Sequence, residues 1–296
     1  MAEAAWDVYI GASTIQNVRS ASYTDGAQII ADRSSGSAAP SAQYLGDADP
    51  TVTITTSDVG NVVGLNTGLF ASEGVCITPG TTILPVARRA DCGFIQSGAV
   101  HSSVSSTNTL LYPTSFEARQ GTEPASATIE AKFHSSNGLV SALTINTAYT
   151  LTATTYGACF GLGKVLINSV EVPLLQSVMV NPQLNFSPQR SSGGIYPTTH
   201  YLLTSEPTIE ITTEDVQWAL GLVPTAGATV PVEAYFRRRQ DGGVFVADAT
   251  TVHVRFAFAG SLAKTEGFEV NQNSNGTATV KIYGRTLVTA AGVAIP

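Results

Sequence analysis

Residues 50–59 read PTVTITTSDV, and residues 207–216 read PTIEITTEDV. Extended without gaps, residues 33–65 (RSSGSAAPSAQYLGDADPTVTITTSDVGNVVGL) align with residues 190–222 (RSSGGIYPTTHYLLTSEPTIEITTEDVQWALGL) at an offset of 157, and 16 of the 33 positions are identical. Chance would give roughly two or three, so the chain carries an internal repeat. Further along, Val100-His101 answers Val252-His253 at an offset of 152, and Ala127-Thr128-Ile129 answers Ala278-Thr279-Val280 at 151. The shrinking offset means that the second copy has lost loop residues. The reading is a duplication into two tandem domains, residues 1–155 and residues 156–296.

The repeated stretch has a clear local grammar. Pro50 and Pro207 open strands, where a missing N–H does least harm. Val52 and Ile54 then point one way and Thr51, Thr53 and Thr55 the other, as do Ile209 and Ile211 against Thr208, Glu210 and Thr212. A short helix follows, with Thr56 or Ser57 as the expected N-cap in one copy and Thr213 in the other. Asp58, Glu214 and Asp215 complement the positive helix start. Val59, Val62 and Val63, like Val216, Ala219 and Leu220, share one helix face. Gly64 and Gly221 are placed to end the helices in a left-handed conformation.

Elsewhere the signals are strands and turns. Thr24-Asp25-Gly26, Ser136-Asn137-Gly138, Gln240-Asp241-Gly242 and Ser274-Asn275-Gly276 read as turns. Residues 127–134, 230–236 and 277–283 read as strands, 97–106 and 117–125 as loops, and 151–164 as the link between copies. No segment holds a long 3.6-residue period. The expected fold is all-β with one short helix per repeat: two homologous β-sandwich or partly closed barrel domains.

Composition narrows the function. Of 296 residues, 43% are hydrophobic and only 12% charged, about half the charged share usual for soluble domains. Such a surface is hard to keep wet alone, which points to cover by other chains; Ser/Thr-rich outer strand faces are the simpler reading. A net charge of −7 argues against a phosphate grip on nucleic acid, and Arg237-Arg238-Arg239, beside a turn, reads as a solvated face or partner contact. Met1–Asp7 lacks the basic start and apolar core of a secretory signal. No apolar run approaches the ~18 residues of a membrane span. The expectation is synthesis in a cytoplasm and no membrane partner. Cys76, Cys92 and Cys159 are odd in number, lack CxxC spacing and have no counterparts across the repeat, so free and mostly buried thiols are expected.

Catalytic patterns match poorly. Gly157 to Lys164 is one residue too long for a phosphate loop, and Val165 stands where Ser or Thr would bind magnesium. Ser261-Leu262-Ala263-Lys264 matches SxxK without its partner motifs. The histidines, His101, His134, His200 and His253, form no metal-like pair; His101 and His253 are equivalent and read as strand histidines bonded to a neighbour. No catalytic, metal-ligating or cofactor-binding residue is nominated, and no cofactor is implied. Core packing explains the repeated strand–helix corner, but not the repeated loop Arg33-Ser34-Ser35-Gly36 and Arg190-Ser191-Ser192-Gly193. These two loops are the candidate assembly contacts, quasi-equivalent if each meets the same kind of neighbour; a turn whose arginine packs on its own domain is the alternative.

The tandem corners PTVTITTSDVGNVVGL and PTIEITTEDVQWALGL, the RSSG…P…Y lead-in to each, and the acidic, cysteine-poor composition together resemble the tail tube proteins of long-tailed bacteriophages, in particular those with a duplicated tube domain. The duplication covers nearly the whole chain. The resemblance implies a non-catalytic virion protein of the phage tail, with β-sandwiches whose strands join neighbours into a continuous barrel. Chains would form trimeric rings of pseudo-sixfold symmetry, stacked into a tube that meets other tail proteins and lets DNA through without specific binding. Ring closure also removes exposed sheet edges. A duplicated β-sandwich capsid or decoration protein and a carbohydrate- or ligand-binding β-module are the alternatives.

Overall fold

The computed structural model describes residues 2–36, 38–65, 80–90, 92–96, 98–153, 156–222, 230–240, 243–259, 262–270 and 275–296. The first copy forms β1 (Ala2–Ala5), β2 (Val8–Ile10), β3 (Ser13–Ile15), β4 (Val18–Thr24), β5 (Ile29–Asp32), β6 (Ala42–Leu45), β7 (Thr51–Thr56), α1 (Val59–Leu65), β8 (Gly80–Arg89), β9 (His101–Arg119), β10 (Ser126–Phe133) and β11 (Thr144–Tyr149). The second forms β12 (Phe160–Ile167), β13 (Val170–Glu171), β14 (Leu175–Asn181), β15 (Leu184–Gln189), β16 (Thr199–Ser205), β17 (Thr208–Thr213), α2 (Val216–Leu220), β18 (Val232–Arg238), β19 (His253–Ala259), β20 (Leu262–Glu269), β21 (Thr277–Tyr283) and β22 (Thr286–Val293). The fold is all-β with one short helix in each half. Among the described residues no sheet closes into a barrel.

Strand pairing repeats across the halves. β4–β7–β10 in the first answers β14–β17–β21 in the second, with Ile54 between Ala21 and Ile129 as Ile211 is between Val178 and Val280. The layer of β1, β2, β8, the start of β9, and β11 answers β12, β18, β19 and β22. Left-handed backbone recurs at the same offset of 157: Gly11 and Asn168, Asn17 and Leu174, Gly26 and Gln183, Gly36 and Gly193 all have positive φ. Leu174, at φ 45, holds a conformation that costs an ordinary side chain roughly 1–2 kcal/mol. It does so because Thr213 reaches back to its turn, as Thr56 does to that of Asn17.

Those two threonines set the strand–helix corner. Thr56 is fully buried; its hydroxyl donates to the Gln16 carbonyl (2.5 Å) and accepts the Asp58 N–H (3.0 Å). Thr213 does the same with the Pro173 carbonyl (2.6 Å) and the Asp215 N–H (3.0 Å). The threonines therefore close the turn before the helix rather than cap it. The N-cap of α2 is Asp215, whose carboxylate accepts the Trp218 N–H. Gly64 lies inside α1, and Gly221 is right-handed at φ −73 because the last turn tightens onto the Trp218 carbonyl. Neither glycine is a left-handed cap.

Other expectations also shift. Residues 101–106 and 117–119 are strand, not loop, because β9 runs unbroken from His101 to Arg119. Its first part pairs with β8 and β11, its second with β10 and β14. Its second-copy counterpart is two strands, β19 and β20, which belong to different sheets. The strand read at 230–236 runs from Val232 to Arg238, and the link region already contains the start of β12 at Phe160. Asn137-Gly138 is a turn, but β10 and β11 do not pair with each other as a hairpin. Cys92 is exposed rather than buried. Cys76, Ser261 and Asp241-Gly242 lie outside the described residues. No described helix is long and apolar enough to cross a membrane.

Candidate assembly surface

The two halves meet along a continuous sheet. The end of β9 pairs antiparallel with β14, matching Arg119 with Ser177, Ala118 with Val178, Glu117 with Met179 and Phe116 with Val180. Alternation then sends Phe116 into the interior of the second half. Its ring lies 4.7 Å from that of Phe256, itself 5.0 Å from Phe236. One half thus supplies a core residue to the other, and the buried apolar residues of both form a single cluster. Helix α1 packs across the same boundary onto β19 and β22, burying Val59, Val62 and Val63 completely. Phe160 sits on Gly60, where a Cβ would come within 3.1 Å of its ring. Tyr112 of β9 packs on Phe186 of β15 at 4.5 Å, and Arg239 donates to the carbonyls of Gly121 and Thr122.

The second candidate loop lies on this boundary. Arg190 donates to the Ala48 carbonyl (3.4 Å), pairs with Asp47 (3.5 Å) and braces its own loop at the Ile195 carbonyl (3.3 Å). Ser191 donates to the Asn137 carbonyl (2.8 Å), and the Gly138 carbonyl accepts N–H groups from Ile195 and Tyr196. A side chain at Gly138 would meet Ser191 and would be strained at φ +79, so glycine is required there. Ser192 and Gly193 are exposed. The first loop differs in surroundings, not in form. Arg33 donates to the Ala38 carbonyl of its own loop (2.6 Å), and Arg33, Ser34, Ser35 and Gly36 are all exposed.

A polar cluster built on a buried histidine pair completes the boundary. His134 Nε2 shares a hydrogen bond with His200 Nδ1 at 2.7 Å, the rings stacked at 4.9 Å. His200 Nε2 meets Asp49 Oδ1 at 3.2 Å, and Lys132 Nζ reaches Asp49 Oδ2 at 3.3 Å and Glu130 at 3.1 Å. Burial, then the adjacent His200, pushes the His134 pKa down to about 4. Burial alone would raise the Asp49 carboxyl, but the His200 hydrogen bond and Lys132 outweigh it and hold it below the usual range. No spacing in the sequence announces this pair, since the two histidines are 66 positions apart. The strand histidines read from the repeat are placed as expected: His101 Nδ1 accepts the Arg88 N–H and His253 Nδ1 the Arg238 N–H, each at 3.0 Å.

Each half of this boundary has an unpartnered twin at the other end of the chain. The long sheet runs β20-β21-β17-β14-β9-β10-β7-β4, so its path ends at β20 and β4. Among the described residues, β20 pairs only with β21 and β4 only with β7. β20 is the counterpart of the part of β9 that pairs with β14, and β4 is the counterpart of β14. Several positions that are covered at the boundary are exposed at the ends. Phe116 is 0% exposed and its twin Phe268 is 58% exposed; Val63 is 0% and Leu220 is 50%. On the opposite side, Val180 is buried and its twin Tyr23 is exposed, as are Ile29 and Leu45 of the β5–β6 hairpin. No protein-family model and no curated protein matches this chain.

Proposed function

We propose that the chain is a structural subunit that assembles with copies of itself head to tail, as the tail tube subunit of a long-tailed phage. The observation that supports this reading is the pair of bare faces. One end of the chain presents the donor half of the internal boundary and the other end presents the acceptor half. Such a contact is heterologous, and it closes into a ring when the rotation allows. β20 of one chain would add to β4 of the next, placing Ala21 opposite Val270, Ser22 opposite Glu269 and Tyr23 opposite Phe268. Phe268 would enter the neighbour's first half beside Val86 and Val104, the counterparts of Phe236 and Phe256. Replacing those two rings by valines leaves room for the incoming one.

Three chains would give six quasi-equivalent units per ring, and the rings would stack into a tube in the virion. That step rests on the resemblance to tail tube proteins, as do the other tail proteins at its ends. A net charge of −7 suits a conduit that DNA crosses without being held. The reading assigns no reaction to the chain. The Arg33 loop would meet the neighbour as the Arg190 loop meets the first half. Negative-stain electron microscopy of the purified chain over a range of concentrations tests this. Six-lobed rings and stacked tubes are expected. Rings that never stack would remove the tube and keep the assembly, while monomers at every concentration would overturn both.

A further inference from the structure

The polar cluster of the internal boundary also has a twin, made of different residues. The pairing registers fix the correspondence: Asp49 answers Glu206, His134 answers Arg285, Lys132 answers Tyr283, and His200 answers Gln43. Phe133 donates its N–H to the Pro50 carbonyl as Gly284 does to Pro207, which sets the neighbouring His134 level with Arg285. Gln43 lies opposite Ala31 in the β5–β6 hairpin, as His200 lies opposite Pro188 in β15–β16. The first three counterparts sit at one end of the chain, and Gln43 sits at the other.

We infer that Gln43 of one chain is seated between Arg285 and Glu206 of its neighbour, forming a counterpart of the His134–His200–Asp49 relay with an uncharged amide at its centre. This rests on the head-to-tail reading above. Gln43, Glu206 and Arg285 are exposed, and among the described residues none makes a side-chain hydrogen bond or ion pair. Tyr283 turns to Glu266 at 3.1 Å, so Glu206 lacks the lysine that Asp49 has. Closing the interface would bury a guanidinium and a carboxylate, which is costly unless both find partners. A primary amide has an acceptor and two donors on one planar group. Its oxygen accepts from Arg285, and its NH₂ donates to Glu206. In the internal site the His200 ring bridges His134 and Asp49 through its two nitrogens. The external site, with a full cation and a full anion, is matched by an amide that does not titrate. Other charged groups on the strands around this position include Lys281, which lies over the Tyr283 ring, Glu210 opposite it on β17, Glu266 and Glu269 on β20, and Asp32 on β5 of the incoming hairpin.

The test uses the full chain with Cys76, Cys92 and Cys159 replaced by serine, first checked for assembly. One variant carries Ser22→Cys and Glu269→Cys, reporting the strand contact. A second carries Gln43→Cys and Arg285→Cys, reporting the amide site. Both are treated with a short bismaleimide and read as chain ladders under denaturing conditions. Ladders from both variants are expected. A ladder from the strand pair without one from the amide pair would overturn this inference and leave the head-to-tail reading standing. No assembly and no ladder from either would overturn both. In the assembled protein, Gln43→Leu should raise the concentration at which rings half-dissociate roughly tenfold; an unchanged value would also count against the amide site.

Discussion

The two helices α1 and α2 begin from nearly the same ten residues and end in different surroundings. Val59, Val62 and Val63 of α1 are sealed, while Leu220 of α2 is half exposed. The same contrast holds for Phe116 and Phe268 at equivalent ends of β9 and β20. A local pattern decides that a strand will turn into a helix and which side will be apolar. What that side buries against is decided by whichever half lies next to it. Inside the chain that neighbour is present, and at the ends the same code meets no partner strand among the described residues.

The phenylalanines carry the largest contrast between the two ends. Phe116→Ala should lower the stability of the chain by about 3–5 kcal/mol in urea unfolding, the range for a fully buried ring. Phe268→Ala should cost the isolated chain less than about 1 kcal/mol and weaken only association. Equal losses from the two variants would erase the distinction.

Next comes pH. His134 titrates near 4 in the folded chain, below the usual 6.5, so the folded state binds fewer protons than the unfolded chain between those values. The stability it confers is complete above about pH 6.5 and is lost as pH falls toward about 4, to the extent of roughly 2–3 kcal/mol. Thermal unfolding from neutral to acidic pH should show this loss, and His134→Gln should flatten it. An unchanged slope in the variant would place the acid sensitivity elsewhere.

The arginines give a smaller contrast. Arg190→Ala removes bonds across the internal boundary, one of them to the exposed Asp47, and should cost about 1 kcal/mol. Arg33→Ala should leave unfolding within about 0.5 kcal/mol and reduce assembly. Smallest in the isolated chain is Tyr23→Lys on the bare edge of β4. A lysine there guards the edge, so circular dichroism and unfolding should match the unaltered chain while association is lost. Retained association would remove β4 from the interface.

The strand–helix corner was legible because period-2 alternation, two prolines and a fixed offset all point to one structure. β9 was hidden because Ser102, Ser103, Ser105 and Ser106 give no apolar alternation; its strand character comes from pairing with distant segments. Asp215 rather than Thr213 caps α2 because Thr213, like Thr56, commits its hydroxyl to a buried turn upstream, a contact no local pattern records. The repeated RSSG marks two loops, but nothing in four residues distinguishes Arg190, reaching Asp47, from Arg33, reaching Ala38. Likewise Phe116 and Phe268 read alike until the sheet order shows which one has a neighbour.

Head-to-tail assembly is tested most directly by a cryo-electron microscopy reconstruction of the assembled chain at a resolution that traces strands. The reconstruction is predicted to show β20 of one chain beside β4 of the next, antiparallel, with Phe268 inside the neighbour as Phe116 is inside its own second half. Chains that meet through any other surfaces, leaving β4 and β20 bare, would rule out head-to-tail strand addition.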